Sequence, residues 1–188
     1  RNFGRCRGPR GTCTRSFDTA KKTLTAKQED VSEERNKLFD VRLDDHNFFA
    51  DNPEVEHERR IAISDLLQDN RFEIVGRNLG PYALRLNRRE SRLIFEITAD
   101  DGHHVADIFI SLLSFRKIIR DYFTVCESYY EAIKTAPPAK IQAIDMGRRG
   151  LHNEGADLLK DKLSNQVDVD DRTARRLFTL ICVLHVRV

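Results

Sequence analysis

Tyr82–Ile97, YALRLNRRESRLIFEI, decides the fold. Its apolar side chains recur at every second position: Tyr82, Leu84 and Leu86, then Leu93, Phe95 and Ile97. Period two is the pleat of a β-strand, whose successive side chains point to opposite faces. Asn87–Glu90 interrupts the run with turn-forming residues, so the two halves fold back on each other. Phe72 and Ile74 begin the same pattern upstream, and Val105–Leu112 extends it downstream. Asn78-Leu79-Gly80-Pro81 and Asp100-Asp101-Gly102 supply the turns between them. Links this short predict antiparallel pairing, a meander of three to five strands. Leu38–Leu43 also alternates, with Leu38, Asp40 and Arg42 against Phe39, Val41 and Leu43, and predicts a short edge strand.

The flanks are helical. Asp51-Asn52-Pro53-Glu54 has capping-box spacing and a proline suited to the first turn, opening a helix to about Gln68. That helix is expected to bury Val55, Ala62, Ile63, Leu66 and Leu67. After the strands, Ser114 is placed to cap a helix over Phe115–Thr135, which Pro137-Pro138 stops. Apolar residues cover more than half its circumference, predicting the central buried helix, with Tyr122 and Tyr129 against the sheet. Two further helices are expected, Ala139–Leu163 and from about Asp170 or Asp171 to Arg187. The class is α+β: an N-terminal helix, the antiparallel meander, then three helices packed on one sheet face. Residues 31–188 form one domain on this reading.

Charge divides the chain. The net value is +2, but residues 1–28 hold eight Lys/Arg and one acid, Asp18, while the remainder holds 24 basic and 29 acidic side chains. Residues 1–30 are too poor in large apolar groups to offset ordering entropy and read as a disordered basic extension. Leu24-Thr25-Ala26 resembles a bacterial start, which makes the extension extraneous upstream sequence. The alternative is a transit-derived segment, with the mitochondrial matrix as destination. An acidic body argues against duplex binding, which needs a basic face. Cys6 and Cys13 have no zinc or redox spacing, and Cys126 and Cys182 sit on apolar helix faces, a reducing-compartment pattern. The apolar run Leu177–Leu184 is far short of the ~20 residues of a membrane span, so no membrane partner is expected.

Ala143–Ala156, AIDMGRRGLHNEGA, is the candidate site. Three glycines stand inside a helix, and each costs about 1 kcal/mol relative to alanine. On a wheel of about 100° per residue, Ile144, Gly147, Leu151, Gly155 and Leu158 share a stripe. Close approach of another element at Gly147 and Gly155 would explain two of the glycines. Asp145, Arg148 and His152 line one edge of the stripe and Glu154 the other. Arg148, Arg149, His152, Asn153 and Glu154 are the ligand-binding candidates, since paired guanidiniums near a histidine suit a phosphate or carboxylate. The competing reading is a network that braces the fold.

Other histidines carry less. His57-Glu58 begins a zincin motif, but Ile61 stands where the second ligand belongs. His103-His104 follows a turn with no third ligand at fixed spacing, and His185 reads as a hydrogen-bonded core residue. GxSxG, GxxxxGK[ST] and GxGxxG are all missing from the sequence. No metal and no cofactor are predicted.

From Phe39 onward the chain resembles uncharacterised protein family two-six-two of the alphaproteobacteria. Val55–Leu67, Gly80–Leu86, Phe115–Ala136, Ala143–Ala156 and Asp171–Arg187 carry the resemblance. It implies the bacterial cytoplasm and no mechanism. Sequence reasoning alone therefore favours a non-enzymatic domain that binds or regulates another protein. The alternative is a small enzyme or anion-ligand-binding domain using the Gly147–Gly155 segment. A concave pocket around His152 with both arginines pointing inward would favour that alternative, and a flat apolar face beside a ring of salt bridges would favour protein binding.

Overall fold

The computed structural model describes residues 35–44, 53–77 and 79–185. The extension 1–30, the cap residues Asp51 and Asn52, turn residue Asn78 and the helix end at Arg187 lie outside these residues. In chain order the elements are β1 (Leu38–Leu43), α1 (Pro53–Gln68), β2 (Phe72–Ile74), β3 (Tyr82–Arg89), β4 (Arg92–Ala99) and β5 (His104–Ser111). A short 3-10 turn (Leu112–Phe115) leads to α2 (Arg116–Thr135), α3 (Pro138–Leu163), β6 (Val167–Val169) and α4 (Asp171–His185). The class is α+β, as the sequence predicts.

The sheet differs from a pure meander. Strands β3, β4 and β5 pair antiparallel in succession, but β1 joins the edge of β3 in parallel, giving the order β1-β3-β4-β5. A parallel neighbour needs a long crossover, and α1 lies in that connection. The expected phase of β1 is also broken. Leu38 pairs with Tyr82 and Asp40 with Ala83, so Phe39 is the extra residue of a bulge and is 49% exposed, while Leu38, Val41 and Leu43 are buried. The Asn70 side chain receives the Leu38 N–H and donates to its carbonyl, a substitute strand for that backbone. β2 is not part of the main sheet. Phe72 and Ile74 pair antiparallel with Val169 and Val167 of β6, a strand sequence reasoning left as a helix link.

One face of the sheet supplies Tyr82, Leu84, Leu86, Leu93, Phe95, Ile97, Ile108 and Ile110 to a single core. Burial of the helices corrects another expectation. The central helix is α4, whose Ala174, Leu177, Phe178, Leu180, Ile181, Cys182, Val183 and Leu184 are all buried. α1 packs along α4 through Ala62 and Leu66, with Leu67 outside, and α3 packs along it on another side. α2 buries only Ile118, Ile119 and Ala132. Tyr122 is partly buried against the core, whereas Tyr129 lies further out on the α2–α3 hairpin, away from the sheet. Ser114 does not cap α2: it falls inside the 3-10 turn, and Phe115 occupies the cap position without a side-chain bond. Pro137 and Pro138 divide α2 from α3 as expected, with Pro138 opening α3. The Asp170 carboxylate accepts the Thr173 N–H at the start of α4.

Candidate functional site

The glycines of α3 have two different environments. A Cβ on Gly155 would stand 2.2 Å from Cζ of Phe178, so α4 comes that close only because this residue has none. Gly147 and Gly150 have open space where a Cβ would lie. Close packing therefore accounts for Gly155 and not for Gly147.

Around Gly147 the charges close on themselves. Arg148 donates from Nε and Nη2 to Asp145 Oδ1, at 3.1 and 2.8 Å, and Arg149 reaches Asp145 Oδ2 at 2.7 Å. The Arg148 bond is the main reason the Asp145 carboxyl sits below the usual carboxylate range. The Arg148 guanidinium also lies 5.5 Å from the Tyr129 ring centre, within cation–π reach. His152 points inward instead. Its ring contacts Tyr122 and Phe178 at 5.6 and 5.5 Å between centres, and Nε2 is 2.8 Å from Thr179 Oγ1. Thr179 donates its hydroxyl to the Arg175 carbonyl, which leaves His152 to donate from Nε2 in its neutral form. Burial, then Arg148 and Arg175, push its pKa down to about 4. Asn153 and Glu154 are exposed. The structure thus brings together Arg148, Arg149 and His152 around Asp145 and Thr179, and does not gather Asn153 or Glu154 with them.

A concavity opens beside this network, between α2 and α4, with Arg148, Tyr122 and Thr179 in its lining. It measures about 1080 Å³. Cys126, Cys182 and Val183 line it too, as does Glu58 of α1. The Cys182 thiol is pushed well up by burial, and that of Cys126 is raised for the same reason. Neither is a thiolate at neutral pH, so the pair serves as apolar lining. Along α2 the groove is lined by Arg116, Arg120, Phe123, Glu127 and Tyr130, with Lys117 beside them. Arg116 and Lys117 occupy the first turn of α2, which has no acid, and neither has a carboxylate partner among the described residues. Cations at the positive end of a helix cost about 0.3–1 kcal/mol each. Sequence reasoning passed over this cluster because FRKIIRD reads equally well as a solvated face. Its signal was the missing first-turn acid.

The remaining histidines lie apart. His104 contacts Asp107 at the surface, His57 is exposed on α1, and His185 Nδ1 is buried with no hydrogen-bond partner among the described residues, contrary to the sequence reading of a hydrogen-bonded core residue. Among the described residues no His, Cys, Asp and Glu gather in a group that could hold a metal, and no helix is long and apolar enough to cross a membrane.

Residues 35–187 match the family described as Uncharacterised protein family (UPF0262). A UPF0262 protein of Hyphomonas neptunium is 52% identical over 150 residues, 80% of this chain and 93% of that protein. Relatives from Rhizobium etli and Brucella canis, also called UPF0262 proteins, are 54% and 55% identical, each over 80% of this chain and 96% and 94% of their own lengths. No solved structure matches.

Proposed function

The chain belongs to this uncharacterised family, and we propose that it is a non-enzymatic domain that binds or regulates another protein through the groove between α2 and α4. One observation carries the reading: an open concavity brings the apolar groups Tyr122, Phe123, Cys126, Tyr130, Cys182 and Val183 together with charged side chains of α2, while Arg148, Arg149 and His152 of the GRRGLHNEG segment are engaged by Asp145 and Thr179. Arg148 and Arg149 already hold a carboxylate, Asp145. His152 has given its bond to Thr179. Exposed apolar groups continue along the α2–α3 hairpin, with Tyr130, Ile133 and Met146 at 38, 49 and 67% exposure. A patch of this kind marks a contact surface more often than an idle one.

Photo-crosslinking tests the reading. A benzophenone side chain at position 130, in the groove, should yield one discrete adduct to another protein in alphaproteobacterial cells. The same group at position 83, on the outer sheet face, should not. Loss of the adduct on replacing Phe123 by Asp would tie the partner to the groove. Equal adducts from both positions would overturn the proposal.

A further inference from the structure

We infer that the groove takes an amphipathic α-helix of the partner protein, and that the end of that helix lying beside Arg116, Lys117 and Arg120 is acidic. The inference rests on the protein-binding reading and names its ligand class. Shape comes first. Ten residues of α2 between Arg116 and Tyr130 line the groove, and among them the apolar Phe123, Cys126 and Tyr130 step by three and four residues along one face, with Arg116 and Arg120 before them. Alternating steps of four and three form the seam along which one helix receives another. This seam has no helix of the chain seated on it among the described residues, since α3 and α4 flank it and the concavity stays open.

Size agrees. From Arg116 to Tyr130 is 14 residues, about 21 Å at the α-helical rise. A guest helix of that length and ~11 Å across fills about 2000 Å³. The groove's volume of about 1080 Å³ leaves such a helix partly exposed and not enclosed.

Charge sets the chemistry. At the α2 N-terminus three cations line the groove, and among the described residues only Arg120 of these has a neighbouring acid, Asp121 at 3.7 Å. Their charge adds to the positive end of the helix, so carboxylates on the guest relieve repulsion as well as forming pairs. Phe123, Cys126 and Tyr130 further along call for leucine-like side chains, and Glu127 for a base. An anionic membrane shares the charge, but a bilayer is flat and this surface is concave, with Glu58 and Glu127 in its lining.

The test uses the full chain and two 15-residue labelled helical peptides. Both carry leucines at the same four-and-three spacing, and their first turns bear three glutamates or three lysines. The glutamate peptide should bind about tenfold tighter at low salt, with the advantage fading at high salt as exposed pairs are screened. R116E/R120E should reverse the preference, and Phe123→Asp should abolish binding of both peptides. The charge variants lie on exposed positions and report even where Phe123→Asp unfolds the protein. Equal binding of both peptides would overturn the acidic assignment and leave the groove reading standing. Failure of both peptides would overturn the helix-receiving groove itself. Sedimentation with phosphatidylglycerol vesicles without peptide binding, or a dimer that R116E/R120E dissociates, would replace the inferred occupant with a membrane or a second copy.

Discussion

Phe178 cannot move aside for a methyl group at position 155. Its ring is fully buried and held by Phe115, Tyr122 and His152. Gly155→Ala gains about 1 kcal/mol in helix propensity but overpacks the core, at a cost of about 1–3 kcal/mol. The net outcome is a less stable protein in urea titration. Gly147→Ala and Gly150→Ala meet open space and should each stabilise by about 0.5–1 kcal/mol. If all three variants move the midpoint the same way, the difference in environment is wrong.

His152 supplies the pH dependence. Its pKa falls from 6.5 when unfolded to about 4 when folded, so the unfolded chain binds the extra proton between these values. Its contribution is complete above pH 6.5 and is lost as pH falls towards 4. Between pH 7 and pH 5 the loss is about 2 kcal/mol, at 1.36 kcal/mol per unit. His185, also lowered chiefly by burial, acts in the same direction. Denaturation of the parent and of His152→Gln at both pH values checks this, and the variant should lose less. An NMR titration placing His152 above 6.5 would reverse the sign.

At the scale of elements, the small β2–β6 sheet ties the middle of the chain to the α3–α4 junction. Phe72 is fully buried and meets Tyr82 edge-on at 6.1 Å. Phe72→Ala should cost about 3–5 kcal/mol and speed amide exchange in β6 as well as β2. Unchanged exchange in β6 would show that the two strands do not support one another. This sheet also marks where sequence reading ran out. β3, β4 and β5 were legible because alternation over eight residues has one structural meaning. β2 and β6 have three residues each, too few to choose a partner, although Val167-Asp168-Val169 does alternate. β1 was legible as a strand but not as a parallel one, because its direction depends on where α1 packs. The bulge at Phe39 then reversed the phase that simple alternation assigned.

The same limit explains the helices. α2 and α4 both carry dense apolar stripes, and periodicity cannot say which stripe meets the sheet. α4 does so, and α2 turns part of its stripe towards an open groove. In the candidate segment, the Arg148–Asp145 and Arg149–Asp145 pairs followed from spacing within one helix. The bond of His152 to Thr179 crosses between helices and was out of reach, while the close approach at Gly155 was legible but its partner, the ring tip of Phe178, was not. At the scale of the whole molecule, α4 packs on both α1 and α3 and is buried along most of its length. A chain ending at Asp170 should therefore lose cooperative thermal unfolding, even though it retains every strand. A sharp calorimetric transition in that chain would place the core elsewhere.

The position of α4 has a consequence for how the protein is made. The strands it covers leave the ribosome first, and the buried helix follows about 90 residues after Leu93, some 5–20 s later at ordinary elongation rates. Throughout that interval the core side chains of the sheet lack the cover that α4 gives them. Nascent chains stalled before α4 are therefore expected to bind a holding chaperone more than released chains do, and slow codons between β5 and α4 to lengthen that exposure.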